Sequence, residues 1–105
     1  MIRREKAVLK LEEWRSCGAT VLCRADLTGM TLEMQSVIGA LTDKELVLAS
    51  GNCRLSVRLD LEGEEFSLSK REKSPLLNNE PGTCLVILFP ARGVARDSLA
   101  LVVKD

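Results

Sequence analysis

The side chains that most often perform catalysis or hold metals are scarce in this sequence of 105 residues. It contains no histidine, the commonest general base and metal ligand, and no tyrosine. None of the four cysteines has zinc-site or CxxC spacing, and none stands at a recognisable helix start that would lower its pKa. We expect all four to be reduced and to pack as small apolar side chains: Cys17, Cys23, Cys53 and Cys84. No catalytic residue, metal ligand or cofactor is therefore predicted.

The acidic residues Glu62, Glu64 and Glu65 form a cluster around Gly63. A turn of this kind usually carries solvated charges, whereas an oxygen-ligated metal needs ligands that converge from several elements. The glycines form no phosphate-binding loop. We expect no group to titrate near neutral pH, and we therefore predict that the protein is not an enzyme.

The basic residues form several small clusters, and the chain as a whole has no excess of positive charge. Arg54 and Arg58 lie on the polar side of one predicted strand, and Arg92 lies in a late loop. Such clusters suit phosphate contacts, but 15 basic and 15 acidic residues cancel, and only three residues are aromatic. We expect these cations to be solvated, with Glu45 opposite Arg58.

The elements that must position these residues begin with a helix over residues 3–16. Its apolar stripe consists of residues spaced by three and four: Ala7, Val8, Leu11 and Trp14. Leu9 falls off the stripe, and Gly18 is a suitable end because glycine tolerates the left-handed conformation. We expect Trp14 to anchor this helix on a sheet.

Alternating apolar and polar residues then predict strands. Residues 20–27 and 30–36 flank the turn Thr28-Gly29, and an adjacent apolar pair before Gly39 predicts a bulge or bend. Residues 45–50 and 53–61 flank Gly51-Asn52, which suits a two-residue hairpin turn. The resulting register pairs Leu48 with Leu55, Leu46 with Val57 and Glu45 with Arg58.

The second half of the chain is patterned less clearly. Glu62-Gly63 predicts another hairpin that would place Phe66 opposite Leu59, although it would also set Asp60 against Glu65. Residues 71–82, which contain two prolines, are predicted to form a long loop. The continuously apolar run 84–89 predicts a strand buried on both faces, covered by the helix or by a second subunit. A last strand follows at 99–103.

The fold class predicted is therefore mainly β, a small antiparallel barrel or rolled sheet with one N-terminal α-helix. The chain is expected to form a single domain over 1–105, with the helix at 3–16 and the sheet within 20–104. The charged start MIRREKAVLK does not resemble a signal peptide, and no apolar run approaches a membrane span. We expect a cytoplasmic protein without a membrane partner.

The order of these elements resembles the Sm-like family, SH3-type barrels that assemble into rings and bind RNA. Residues 41–48 resemble the family's first motif, with Asp43 at the position of its aspartate, and Ala91-Arg92-Gly93 resembles the Arg-Gly of the second motif. The asparagine of the first motif is missing, and the loop after Gly93 is longer than the family's. A weaker resemblance, to the cyclic-dinucleotide-binding PilZ barrel, rests on Arg3-Arg4 and on residues 26–29, with a different glycine spacing.

Two functions are therefore carried forward. The first is a non-catalytic interaction module that binds a protein partner or a second copy of itself. The alternative is an Sm-like RNA-binding protein, and the resemblance then implies a nucleic-acid site at Asp43, Arg54, Arg58, Arg92 and Gly93.

Overall fold

A computed structural model describes all residues from Met1 to Asp105 and begins with one helix, α1 (Arg4–Ser16). Its buried residues are Ala7, Leu11 and Trp14, whereas Leu9 is 70% exposed, which confirms the predicted stripe. Gly18 follows the helix end with a φ of 65°. No helix in the structure has the length and apolar character needed to cross a membrane.

Seven strands follow the helix and form one antiparallel sheet in the order β4-β3-β2-β1-β7-β6-β5. Their bounds are β1 (Val21–Leu27), β2 (Met30–Leu41), β3 (Glu45–Ser50), β4 (Cys53–Arg58), β5 (Glu65–Ser74), β6 (Glu80–Leu88) and β7 (Ser98–Lys104). The mainly β class with one N-terminal helix is therefore confirmed. The sheet is rolled and open, because β4 and β5 end it and are not paired with each other.

The β1–β2 hairpin turns at Thr28-Gly29 as predicted, and Leu27 pairs with Met30. Gly29 has a φ of 84°, a conformation that glycine adopts without a steric cost. In β2 the pairing with β3 shifts between Ile38 and Ala40, which confirms the predicted irregularity at Gly39. This bulge lies within the longest strand of the sheet.

The β3–β4 hairpin has the predicted register throughout, including Leu48 with Leu55 and Leu46 with Val57. The turn residue Gly51 has a φ of 60°. Glu45 and Arg58 are opposite each other as expected, but the guanidinium of Arg58 pairs with Asp60 instead. Asp60 follows two residues later, and its carboxylate accepts two hydrogen bonds from Arg58.

The predicted hairpin between β4 and β5 is wrong. Phe66 lies opposite Ile87 of β6 and not opposite Leu59, so residues 59–64 form a crossing segment from one edge of the sheet to the other. This arrangement separates Asp60 from Glu65, whose like charges would have faced each other in a hairpin. Glu65 instead forms an ion pair with Arg96 at 3.0 Å.

The predicted loop over 71–82 is also wrong. Strand β5 continues to Ser74, a short 3-10 turn covers Pro75–Leu77, and β6 begins at Glu80. The reversal is made by Asn78 and Asn79, with φ values of 54° and 65°, which asparagine tolerates better than most residues. Pro81 lies near the start of β6, beside an irregularity in the β5–β6 pairing, where a missing amide is tolerated.

Strand β6 is buried on both faces only around Cys84, whereas Val86 and Leu88 on the same face as Cys84 are half-buried, so the burial predicted for the whole apolar run is confirmed in part. Leu85 and Ile87 enter the core, and Cys84 on the opposite face is only 2% exposed. Within the chain, Leu76 of the 3-10 turn lies beside Cys84 on that face and lines the same pocket. A Cβ on Gly82 would collide with Leu77, so the turn also requires glycine at this point of β6.

The core is one cluster of 15 buried residues that joins α1 to both halves of the sheet. The helix packs on β2 and β5. Before the helix, the amide of Ile2 donates a hydrogen bond to the carbonyl of Phe66 at 2.9 Å and forms a single bridge on the outer side of β5. One edge of the sheet is therefore partly covered, whereas the other, β4, has no neighbour beyond β3.

Candidate binding site: an apolar cavity beside the free edge

An apolar cavity of about 210 Å³ lies between the edge strand β4 and the middle of the sheet. Residues of β4, β1 and β7 all line this cavity, although β4 is not hydrogen-bonded to β1 or β7. The sheet must therefore curl until β4 approaches the middle strands. For comparison, a buried apolar cavity of roughly 150 Å³ is large enough to bind benzene. The apolar lining consists of eight residues: Ala25, Leu27, Leu32, Leu55, Val57, Leu61, Phe89 and Leu99.

Three leucines of this lining are also at the surface. Leu27, Leu32 and Leu61 are 37%, 37% and 38% exposed. They come from β1, β2 and the crossing segment, and the rolled sheet brings them together at the cavity. Apolar side chains that converge on a concave site and remain partly exposed are typical of a binding site rather than of a finished core.

The polar residues at the cavity are Ser56 and Arg58. Arg58 donates from Nε to Oδ1 of Asp60 at 2.9 Å and from Nη2 to Oδ2 at 3.1 Å. This two-fold contact holds the pKa of the Asp60 carboxyl below its usual value and raises the pKa of Arg58. The adjacent amide of Leu59 donates to the carbonyl of Lys44 at 2.8 Å, which extends the β3–β4 pairing by one residue pair.

Glu64, at the end of the crossing segment, is an unusual carboxylate. Both of its oxygens are out of contact with solvent and have no hydrogen-bond partner. Burial, with a smaller contribution from the nearby charge of Asp60, raises its pKa to about 7, while Arg4 and Arg58 act in the opposite direction. The expectation that this turn is fully solvated and that no group titrates near neutral pH is therefore wrong at Glu64.

Arg96 fastens the crossing segment to the β6–β7 loop. It donates to the carbonyl of Phe89 at 2.7 Å and to that of Gly63 at 3.1 Å, and it forms the ion pair with Glu65. Arg96 therefore ties Phe89, which lines the cavity, to Gly63, which follows the lining residue Leu61 by two positions. From the sequence, Arg96 was indistinguishable from a solvated loop cation.

The residues that the Sm-like resemblance implied lie in three places. Asp43 is exposed in the β2–β3 turn, Arg54 and Arg58 are exposed on β4, and Arg92 and Gly93 are exposed in the β6–β7 loop. Pairing of Glu45 with Arg58 brings the β2–β3 turn near the end of β4. No hydrogen bond or ion pair joins any of these five side chains to another of the five.

The cysteines divide into two pairs. Cys23 and Cys84 are buried, as expected for small apolar side chains, and burial raises the pKa of the Cys23 thiol to about 11. Cys17 and Cys53 are exposed, so for them the expectation of packing in the core is wrong. No group of three or more His, Cys, Asp or Glu side chains is arranged to hold a metal ion.

Sequence reasoning missed the cavity itself. Its signal was an apolar residue at each of three positions close to predicted turns: Leu27 before Thr28-Gly29, Leu32 soon after it, and Leu61 before Glu62-Gly63. Comparison of the chain with protein families, with curated proteins and with solved structures gave no match.

Proposed function

We propose that this protein is a non-catalytic binding module and that its site is the apolar cavity beside β4. The observation that supports the proposal is the convergence of three partly exposed leucines, from three separate elements, on one cavity of about 210 Å³. Leaving this much apolar surface in contact with water is unfavourable, and a bound partner group would remove it from water.

The chemistry around the cavity favours binding over catalysis. Arg58 is engaged by Asp60, and Ser56 has no base as a hydrogen-bond partner that would make it a nucleophile. Glu64 titrates near neutral pH but does not line the cavity. A reducing compartment suits four cysteines that form no disulfide, and the cytoplasm is therefore the location that we propose for this module.

Binding of a small apolar probe to the cavity tests this proposal. Indole titrated into the protein should shift the methyl resonances of Leu32 and Leu61 but not that of Leu9 on the helix. Leu32→Trp should fill the site and abolish the shifts. Met30→Trp is the matched control, because Met30 is on the same strand, is 58% exposed and does not line the cavity. Unchanged methyl resonances in the wild-type protein at millimolar indole would refute the cavity as a binding site.

RNA binding is the second candidate, supported by the exposed Arg54 and Arg92, neither of which forms an ion pair with a carboxylate. A labelled single-stranded RNA should then bind at low salt, weaken as salt increases, and bind less well to Arg92→Ala. Absence of binding at low salt would end this candidate. Sedimentation at micromolar concentration tests whether the protein also self-associates, and a monomer at all concentrations would exclude that part.

A further inference from the structure

The two edges of the open sheet differ in what covers them. The outer side of β5 receives the bridge from Ile2, and α1 packs against the same strand. The outer side of β4 is paired with no strand or bridge of the chain. We propose that β4 accepts an extended segment of a partner protein as an eighth, antiparallel strand, which places an apolar side chain in the cavity and acidic side chains opposite Arg54 and Arg58. This inference rests on the proposed function and names the partner and its mode of binding.

The register of the β3–β4 hairpin shows which backbone groups are free. In an antiparallel pair, hydrogen-bonded and non-hydrogen-bonded residue pairs alternate. The bond from the amide of Leu59 to the carbonyl of Lys44 identifies one hydrogen-bonded pair, so Val57 and Leu55 belong to the same set. The amides and carbonyls of the residues between them point away from β3, toward the open side: Arg54, Ser56 and Arg58.

The cavity lies against this same strand. Leu55 and Val57 supply its apolar lining on β4 and Ser56 and Arg58 border it, whereas Arg54 does not line it and is exposed. A strand added to β4 would alternate in the same way, since side chains directly opposite each other share a face of the sheet. Its backbone would pair with the free groups of β4 while every second side chain would lie on the cavity side. Strand addition in which pockets accept alternate side chains is an established mode of peptide recognition.

Charge indicates what the other side chains of the partner should be. Arg54 is exposed and forms no ion pair, and the Arg58 side chain is 59% exposed despite its contact with Asp60. Arg54 and Arg58 alternate with Leu55 and Val57 along β4, so the alternate residues of an added strand would lie directly opposite them. Opposite charges directly across a strand pair are favourable and like charges are not. The partner segment is therefore apolar at alternate positions and acidic between them.

The probe is a capped heptapeptide of sequence Glu-Val-Glu-Phe-Glu-Val-Glu. We expect it to shift the methyl resonances of the cavity leucines and to slow hydrogen exchange at the amides of Arg54, Ser56 and Arg58. In this register the glutamate amides face β4. N-methylation of the glutamates should therefore weaken binding at least tenfold, and N-methylation of the valines and phenylalanine should not.

Two protein variants give independent checks. Ser56→Pro removes one free donor on an edge strand, where proline is tolerated, and should weaken peptide binding about tenfold. Arg54→Glu should weaken this peptide and favour the version with lysine in place of glutamate. If Ser56→Pro does not fold, the paired N-methylated peptides still decide the question.

Any of the following outcomes would overturn the proposal that a partner adds a strand to β4. If the peptide shifts the cavity resonances without protecting the β4 amides, or if both N-methylated peptides bind equally, the cavity binds apolar groups without an added strand and the proposed function survives. If indole binds and the peptide does not, the same conclusion holds. If β4 amides are protected by a second copy of the chain as concentration rises, the edge serves self-association. If neither indole nor peptide binds, the proposed function fails as well.

Discussion

Glu64 makes the stability of this protein depend on pH in an unusual direction. Its pKa is about 7 in the folded protein, against an ordinary value of 4.5 that applies to the unfolded chain. Between these two values the folded state holds a proton that the unfolded state has released. The free energy of unfolding therefore falls as pH rises from 4.5 to 7 and is constant beyond, as far as this group is concerned.

The size of the effect follows from the same shift. The difference between 4.5 and about 7 corresponds to an upper limit of about 3–4 kcal/mol, and screening by solvent around this partly exposed residue reduces it to about 1–2 kcal/mol. Asp60 acts in a more acidic range, because the hydrogen bonds from Arg58 lower its pKa and the resulting stabilisation is lost only as the carboxylate is protonated. Glu64→Gln keeps the shape without the charge and should be more stable than the wild type by about 1–2 kcal/mol at pH 8.

Urea unfolding followed by the fluorescence of Trp14 measures this directly, because it is the single tryptophan and only 5% exposed. The difference between Glu64→Gln and the wild type should be large at pH 8 and vanish near pH 4. Glu62→Gln, at an exposed neighbouring carboxylate, is the matched control and should preserve the wild-type pH dependence. An equal slope in wild type and Glu64→Gln between pH 5 and 7 would refute the reasoning.

Three further predictions concern packing and reactivity. Arg96→Ala should lower the free energy of unfolding by about 1–3 kcal/mol in urea denaturation, because two backbone carbonyls and one carboxylate lose a charged donor; no loss would mean that water replaces it fully. Gly82→Ala should lower the free energy of unfolding by about 1–3 kcal/mol in the same measurement, because the new Cβ would collide with Leu77 and lie 2.9 Å from the carbonyl oxygen of Val103. Gly39→Ala should lower it by less, because the nearest atom to its Cβ is 3.4 Å away. A thiol reagent should modify Cys17 and Cys53 rapidly and leave the other two until the protein unfolds; four equal rates would contradict the burial.

The parts of the fold that the sequence predicts correctly are those that depend on neighbours in the chain. The β3–β4 register follows from Gly51-Asn52 and from the alternation on either side of it. The irregularity at Gly39 follows from two adjacent apolar residues in an alternating strand. Within such a hairpin, turn geometry and face alternation determine the pairing without any knowledge of the remaining sheet.

The errors occur where the partner of a segment is distant. Glu62-Gly63 is a turn, but nothing local shows that β5 pairs with β6 rather than with β4. The repulsion of Asp60 and Glu65 in the predicted hairpin was the one available signal against it. Pro75 and Pro81 favoured a loop, yet both are accommodated at the junction where β5 reverses into β6. Tertiary pairing overrode local propensity in both cases.

The candidate site was less predictable still, because it is assembled by curvature. Leu32 and Leu61 are 29 positions apart and reach one cavity only through the roll of the sheet. The raised pKa of Glu64 likewise comes first from its burial in the folded chain and then from the charge of Asp60, against the opposing charges of Arg4 and Arg58. Periodicity assigns a residue to a face, but it does not give the distance between two faces.

Strands β1 and β7 form the boundary between two meanders. The first four strands form one meander, and β5, β6 and β7 form the other. Each meander pairs strands that are consecutive in the chain, whereas Leu22 of β1 and Val102 of β7 must meet across most of the chain. The pairing of β1 with β7 therefore has the highest loop-closure cost in the sheet, and until it forms both strands expose an unpaired edge to other molecules.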